Sequence, residues 1–110
     1  MNRSLSLHRG AEFQTVWDSS KSWSHPLVIL RARANGTEKN RFGFVAGKKV
    51  GKAVRRNRAK RLLREAVRHR VTKIEPGWDV IFIARAGTET AEFKAVDAAV
   101  EQVLNRAKLI

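Results

Sequence analysis

The segment from Lys48 to Arg70, KKVGKAVRRNRAKRLLREAVRHR, constrains this chain more than any other. It holds eleven Lys or Arg residues and a single acid, Glu65, so it carries +10 of the chain's net charge of +13. The other 87 residues hold twelve basic and nine acidic residues, which is close to balance. A positive field concentrated in this way attracts a polyanion, and nucleic acid is the commonest one.

Apolar residues recur along this segment with the period of an α-helix, which predicts a helix over Val54–Val71. With about 100° between successive residues, one side of that helix is apolar: Ala59, Leu62, Leu63, Ala66 and Val67. The opposite side is almost wholly cationic: Asn57, Lys60, Arg61, Arg64 and Arg68. Two alternatives are a merely solvated basic face and a membrane-surface or calmodulin-target helix, although the apolar side has no aromatic anchor.

Size and composition indicate one folded domain over residues 1–110. Of its residues, 43% are hydrophobic and 30% are charged, as in globular proteins. The chain has no cysteine, which excludes disulfides, thiolate catalysis and sulfur-ligated zinc. The beginning of the sequence lacks the apolar core of a signal peptide, and no apolar run is long enough to cross a bilayer. We therefore expect a cytoplasmic protein.

Hydrophobic patterns and turn signals predict the remaining elements. They are a helix over Ser6–Trp17, a loop over Asp18–His25, strands over Leu27–Ala34, Arg41–Lys48 and Trp78–Arg85, and a last helix over Thr88–Ala107. The turn signal Asn35-Gly36 predicts that the first two strands form a hairpin. Phe93 begins the apolar stripe of the last helix. The order α-β-β-α-β-α indicates an α+β fold, a small sheet covered by helices with one βαβ crossover.

The sequence shows no catalytic machinery of its own. The histidines at 8, 25 and 69 are isolated, and the acids form no pair suited to a two-metal site. Phe42 and Phe44 share one face of a strand that leads directly into the basic helix. They are either core residues or part of an aromatic surface on which unpaired RNA bases stack beside a cationic wall.

The stretch RFGFVAGKKVGKAVRRNRAKRLLREAVR closely resembles the signature region of the bacterial ribonuclease P protein subunit. The match includes Lys48-Lys49, the triplet Arg56-Asn57-Arg58, and Lys60-Arg61. AEFQTVW at 11–17 and DVIFIARAG at 79–87 resemble the family's other landmarks in the same order. The resemblance therefore spans essentially the whole chain.

This resemblance implies a small protein partner of a catalytic RNA. Together they would hydrolyse precursor tRNA and release its 5′ leader, with Mg²⁺ held mainly by the RNA. It implies a fold similar to that of small ribosomal proteins, with a left-handed βαβ crossover, against the usual right-handed rule. It implies catalytic RNA and precursor tRNA as partners, with no membrane and no obligate protein partner.

The resemblance also assigns residues to two surfaces. Contacts to the catalytic RNA fall on Arg56, Asn57, Arg58, Lys60, Arg61 and Arg64, with Lys48, Lys49, Lys52 and Arg68 as electrostatic neighbours. The leader is expected in a cleft between the first helix and the sheet, at Phe13, Trp17, Leu30 and Phe44. The chief rival interpretation is a non-enzymatic RNA-binding protein of similar fold, such as a ribosomal or assembly protein. A protein-only nuclease is a third, without a visible metal cluster to support it.

Overall fold

A computed structural model describes residues 11–110, in which a four-stranded sheet has helices on both faces. The helices are α1 (Ala11–Ser19), α2 (Ala53–Arg68) and α3 (Phe93–Arg106), and the strands are β1 (Lys21–Ser24), β2 (Val28–Ala34), β3 (Arg41–Ala46) and β4 (Trp78–Ala84). Short 3-10 turns lie at Lys48–Val50, Val71–Lys73 and Thr88–Thr90. The predicted α+β class is confirmed. No described helix has the length and apolar character that a membrane span requires.

The strands lie in the order β1-β2-β4-β3, so β4 occupies the interior of the sheet. It runs antiparallel to β2 and parallel to β3. The parallel pair β3 and β4 is joined through α2, which confirms the βαβ unit; its left-handed sense stays a prediction. The near-continuous apolar run of β4 suits this position, because both faces of an interior strand are covered.

The predicted hairpin between β2 and β3 is wrong, because β4 lies between them. Asn35-Gly36 does reverse the chain, with Gly36 at φ 71°, but the loop is fastened to the start of β4 instead. The Asn35 N–H donates to the carbonyl of Gly77 at 2.9 Å, and the Trp78 N–H donates to Oδ1 of Asn40 at 2.8 Å. A turn signal predicts a reversal of direction but not which strands pair.

The segment predicted as a loop over Asp18–His25 contains the edge strand β1, which is a second correction. Trp23 lies opposite Leu30 of β2 in an antiparallel ladder. β1 has one apolar residue among serines and a lysine, so its local sequence does not predict a strand. It forms a strand because it pairs with the otherwise free edge of β2. The predicted first helix, Ser6–Trp17, overlaps α1, which continues to Ser19; residues 1–10 lie outside the described residues.

Apolar side chains of the described residues form two clusters on opposite faces of the sheet. The main cluster lies between the sheet and helices α2 and α3, and it includes Leu30, Phe42 and Phe82. The smaller cluster lies beneath α1 and consists of Val16 and Ile81 with Trp17, Val45 and Ile83 around them. Alternation along each strand sends neighbouring residues to opposite faces. Among residues 11–110, one face is therefore covered by two helices, whereas the other is covered by the nine residues of α1.

A buried carboxylate joins β2, β3 and β4 at the end of the sheet where β4 begins. Asp79 is fully buried and accepts hydrogen bonds from Nε and Nη2 of Arg41, each at 2.8 Å, and from Asn35 Nδ2 at 3.0 Å. Nε of Arg33 lies 3.6 Å from the same carboxylate. Burial raises the pKa of Asp79, but the hydrogen bonds and charges of these partners outweigh it and hold the pKa below its usual value.

Candidate nucleic-acid interface

Helix α2 is held by its apolar side, which leaves the cationic side in solvent. Ala59, Leu63, Ala66 and Val67 are buried, and Leu62 packs against the same cluster. These five are the residues predicted for the apolar side, so the predicted amphipathic helix is confirmed. The helix contains neither Gly nor Pro and is rich in Arg, Ala and Leu, which have high helix propensity.

The structure brings most of the predicted RNA-contact residues together on one exposed surface. Exposed are Lys48, Lys49, Lys52, Asn57, Arg58, Arg61, Arg64 and Arg68, whereas Arg56 and Lys60 are half-buried. We call these ten residues and Arg55 the basic surface. Arg55 is exposed as well and was missed, although it belongs to the same charged run. The charged run alone indicates Arg55, whereas the Arg-Asn-Arg motif of the family begins at the next residue.

The N-terminal end of α2 concentrates positive charge further. Lys52, Arg55 and Arg56 lie at the end of the helix where unpaired N–H groups and the helix dipole are already positive, and the first turn contains no acid. Gly51 makes the sharp entry into this turn with φ 134°, and a Cβ there would lie 2.7 Å from Cδ of Arg55. A helix end of this kind is a favourable position for a phosphate.

Three cations of the basic surface have fixed local partners. Nε of Arg58 donates to the carbonyl oxygen of Glu89 at 2.7 Å, which ties α2 to the turn before α3. The Arg64 guanidinium lies 5.4 Å from the ring centroid of Phe44. Arg68 donates to Glu65 at 2.6 Å, and that hydrogen bond lowers the pKa of the Glu65 carboxyl. The one acid of α2 is thus neutralised within the helix.

Several side chains on the face of the sheet beneath α1 stay partly accessible. Trp17 is half-buried there, and the guanidinium of Arg31 lies 4.4 Å from the centroid of its ring. Nη1 of Arg31 also donates to the backbone carbonyl of Trp17 at 3.1 Å, so β2 holds the end of α1 in place. Val45 and Ile83 are half-buried in the same cluster. The side chain of Phe13 lies outside the described residues.

A groove continues from this face to the edge where β3 and β4 end. It has a volume of about 490 Å³, with Ile29 and Ile83 among its apolar lining. Lys48, Lys49 and Arg85 also line it, so it adjoins the basic surface. Sequence analysis missed Ile29, Ile83 and Arg85. The alternation of apolar residues in their strands shows that two faces exist, but not which face α1 covers.

The prediction that Leu30 and Phe44 line the leader cleft is wrong. Leu30 is fully buried in the main cluster, on the face that α2 and α3 cover. Phe44 projects to that same face, where its ring stacks on Phe82 with centroids 5.6 Å apart. Because α1 lies on the opposite face, neither side chain borders the cleft. Phe42 is a core residue, 1% exposed.

Metal-ligating side chains do not gather in the part of the chain that the structure describes. Among the side chains that the structure describes, no three of His, Asp or Glu lie close enough to hold an ion together. Asp79 is enclosed by guanidinium groups, and Asp97 accepts from Arg70 at 2.5 Å. Glu65, Asp79 and Asp97 are therefore paired with arginines, whose charges oppose the binding of a cation.

Comparison with known proteins identifies the family. The family model for ribonuclease P matches residues 1–108. The chain belongs to the ribonuclease P protein family. A ribonuclease P protein component of Herpetosiphon aurantiacus is 43% identical over 109 residues, which cover 99% of this chain and 89% of that protein.

Solved structures of this family share the fold. The RNase P protein of Staphylococcus aureus superposes with a TM-score of 0.85 at 27% identity, covering 96% of each chain. That of Thermotoga maritima gives a TM-score of 0.78 at 30% identity and covers 87% of this chain and 91% of its own. Family membership confirms the predicted family and favours a ribonuclease P protein over a ribosomal protein of similar fold.

Proposed function

We propose that this ribonuclease P family member is the protein subunit of a ribonucleoprotein that removes the 5′ leader of precursor tRNA. The basic surface is the observation that carries the proposal. Its cations project from one rigid helix and the turn before it, and the single acid of that helix is paired with Arg68. Such a surface suits the backbone of a folded RNA, because rigid placement fixes which phosphates it reaches.

The catalytic RNA docks on the basic surface. Arg55, Arg58 and Arg61 are exposed at successive turns of α2, so they can follow a line of phosphates. Arginine suits this role, since its planar guanidinium can bind a phosphate through two parallel hydrogen bonds. Asn57 lies among them and adds a neutral side chain that donates and accepts hydrogen bonds.

The leader of precursor tRNA runs through the cleft beneath α1 and into the groove at the end of β3 and β4. Trp17, Val45 and Ile83 supply apolar surface for its bases, while Lys48, Lys49 and Arg85 lie where the backbone leaves the cleft. Alternating apolar and cationic surfaces are typical of proteins that bind single strands with little sequence preference. These residues replace Leu30 and Phe44 in the earlier prediction.

Catalysis belongs to the RNA in this proposal. Mg²⁺ held by the RNA would activate water and stabilise charge on the reacting phosphodiester. The described residues of the protein do not fit a metal ion, because no three of their His, Asp or Glu side chains gather and because Glu65, Asp79 and Asp97 are bound to arginines. The protein therefore contributes by binding the leader and by neutralising phosphates, which lowers the Mg²⁺ concentration that the RNA needs.

The experiment measures cleavage of precursor tRNA by a ribonuclease P RNA at low Mg²⁺, with and without the protein. The wild-type protein should restore cleavage to the mature 5′ end. The double variant Arg61→Ala/Arg64→Ala should require a higher protein concentration, whereas Lys39→Ala, which removes an exposed lysine from a loop outside the basic surface, should behave as wild type. Failure of the wild-type protein to stimulate cleavage would overturn the proposal.

A further inference from the structure

An exposed aromatic ring lies beside the basic surface. Phe93 is the first residue of α3, and its spacing predicted a place on the buried stripe of that helix. The structure instead leaves it 37% exposed, whereas Val96 and Val100 of the same helix are fully buried. A phenylalanine at the first turn of a helix can project past the core, and this one projects toward α2.

Phe93 lines a shallow groove whose other residues all belong to α2. The groove has a volume of about 280 Å³ and is lined by Phe93 with Arg58, Arg61, Leu62 and Glu65. The ring of His69 meets Phe93 edge-on, with centroids 6.4 Å apart and planes at 78°. The volume is at the lower end of ligand pockets, which begin at about 300 Å³, so the groove suits one planar group rather than a larger ligand.

The groove is rigid on its cationic side. Nε of Arg58 is bonded to the Glu89 carbonyl, which fixes this guanidinium next to the turn that leads into Phe93. Arg61 is exposed one helical turn further along. An aromatic face beside one fixed and one exposed guanidinium group matches a nucleotide, because a base stacks on the ring while its phosphate binds the arginines.

We propose that this groove binds one unpaired nucleobase of the catalytic RNA, with Phe93 as the stacking platform and Arg58 and Arg61 on the adjoining phosphates. The inference rests on the proposed function and adds to it a contact that reads RNA shape. Phosphate contacts alone would bind any stretch of RNA backbone. A stacking platform, in contrast, binds only where a base is unpaired and lies outside the RNA helix. Glu65 also lines the groove, and its carboxylate can accept from an exocyclic amino group.

The test compares Phe93→Leu, Phe93→Trp and wild-type protein in binding a ribonuclease P RNA transcript at several salt concentrations. Phe93→Leu should weaken binding about fivefold or more, the loss expected for one stacked base, while the dependence on salt stays unchanged. Phe93→Trp should bind within about twofold of wild type, since stacking on indole is at least as favourable. The additional indole should also be quenched when RNA is added, relative to the wild-type protein.

Two controls separate this result from unfolding and from a general apolar effect. Ile110→Ala removes an apolar side chain of matched exposure, 38%, outside the groove and should leave binding unchanged. Urea unfolding should show the same stability for Phe93→Leu and Phe93→Trp. Unchanged affinity in Phe93→Leu, or a loss that Phe93→Trp does not restore, would overturn the stacking inference while leaving the docking of α2 intact. Absence of binding by the wild-type protein would instead overturn the proposed function.

Discussion

Arg61→Ala is the substitution that most directly tests the docking surface. Arg61 is exposed at the middle of α2, and it has neither an ion pair nor a side-chain hydrogen bond among the described residues. Its removal should therefore change RNA binding without changing the fold. Arg58 offers a matched contrast, because its guanidinium also holds the Glu89 carbonyl at 2.7 Å.

The expected magnitude follows from counterion release. Four exposed cations of α2 have no ion pair among the described residues: Arg55, Arg58, Arg61 and Arg64. The turn before the helix adds Lys48, Lys49 and Lys52. At about 0.7–0.9 per phosphate contact, four to seven contacts predict a slope of log affinity against log salt of roughly −3 to −6. Wild-type affinity should then fall about 50-fold or more between 50 and 200 mM salt.

Removal of one contact should make this slope shallower by about 0.7–0.9. The counterion term alone then weakens Arg61→Ala about tenfold at 50 mM salt and about fourfold at 200 mM. The loss should shrink as salt rises, which a general disturbance of the fold would not produce. Filter binding or fluorescence anisotropy with labelled catalytic RNA measures the slope, and circular dichroism and urea unfolding check the fold.

Arg58→Ala and Lys39→Ala complete the series. Arg58→Ala should show the same change in slope and also lose about 1 kcal/mol of unfolding free energy with the hydrogen bond to Glu89. Lys39→Ala should retain the wild-type slope. A wild-type slope near −1, or equal changes in slope for Arg61→Ala and Lys39→Ala, would refute the reasoning that α2 presents the docking surface.

Three further predictions concern catalysis, stability and the leader cleft. The isolated protein should have no nuclease activity at any Mg²⁺ concentration, since no three metal-ligating side chains gather among its described residues; activity that persists through stringent ribonuclease removal and co-purifies with the protein would contradict this. Arg41→Met should lower the unfolding free energy by about 3 kcal/mol, because the buried Asp79 carboxylate would lose its closest cation and keep only weaker partners. Asp79→Asn should lower the unfolding free energy less, since the Arg41 side chain is 30% exposed and can reach water. Because the pKa of Asp79 is lowered in the folded protein, the stability that its charged form contributes is present above about pH 4 and is lost as the pH falls through the folded-state pKa. The unfolding free energy of Asp79→Asn, measured in urea, should therefore depend less on pH in that acidic range than the free energy of the wild-type protein. Trp17→Ala should weaken binding of precursor tRNA by about 1–3 kcal/mol and spare mature tRNA; equal weakening of both would assign Trp17 to the fold alone.

Helix α2 was predictable because two independent patterns coincide in it. The positions of Ala59, Leu63 and Val67 predict which side is buried, and the cations predict which side faces solvent. Both patterns arise from local periodicity, which a sequence displays directly. The basic surface, and with it the proposed RNA partner, follows from residues that lie close together along the chain.

The leader cleft was less predictable because it depends on which face of the sheet each helix covers. Leu30 and Ile29 are neighbours of similar character in β2, yet the first is fully buried beneath α2 and α3 while the second lines an open groove. Strand alternation separates them but does not assign the faces. That assignment requires the strand order, and β4 takes its interior position through long-range pairing that no local signal contains.

The N-terminal end of α2 lacks the acidic residues that usually stabilise the first turn of a helix. Stable helices place acids in the first turn, because each interaction with the dipole is worth about 0.3–1 kcal/mol. This helix has no acid there and instead has Arg55 and Arg56, which lie against the positive end. This repulsion destabilises the first turn of α2 in the free protein. A phosphate bound at that end would relieve the repulsion by neutralising both the guanidinium charge and the positive end of the dipole. RNA binding should therefore stabilise α2 most at its first turn, and hydrogen exchange of the Arg55 and Arg56 amides should slow on complex formation more than that of Arg68.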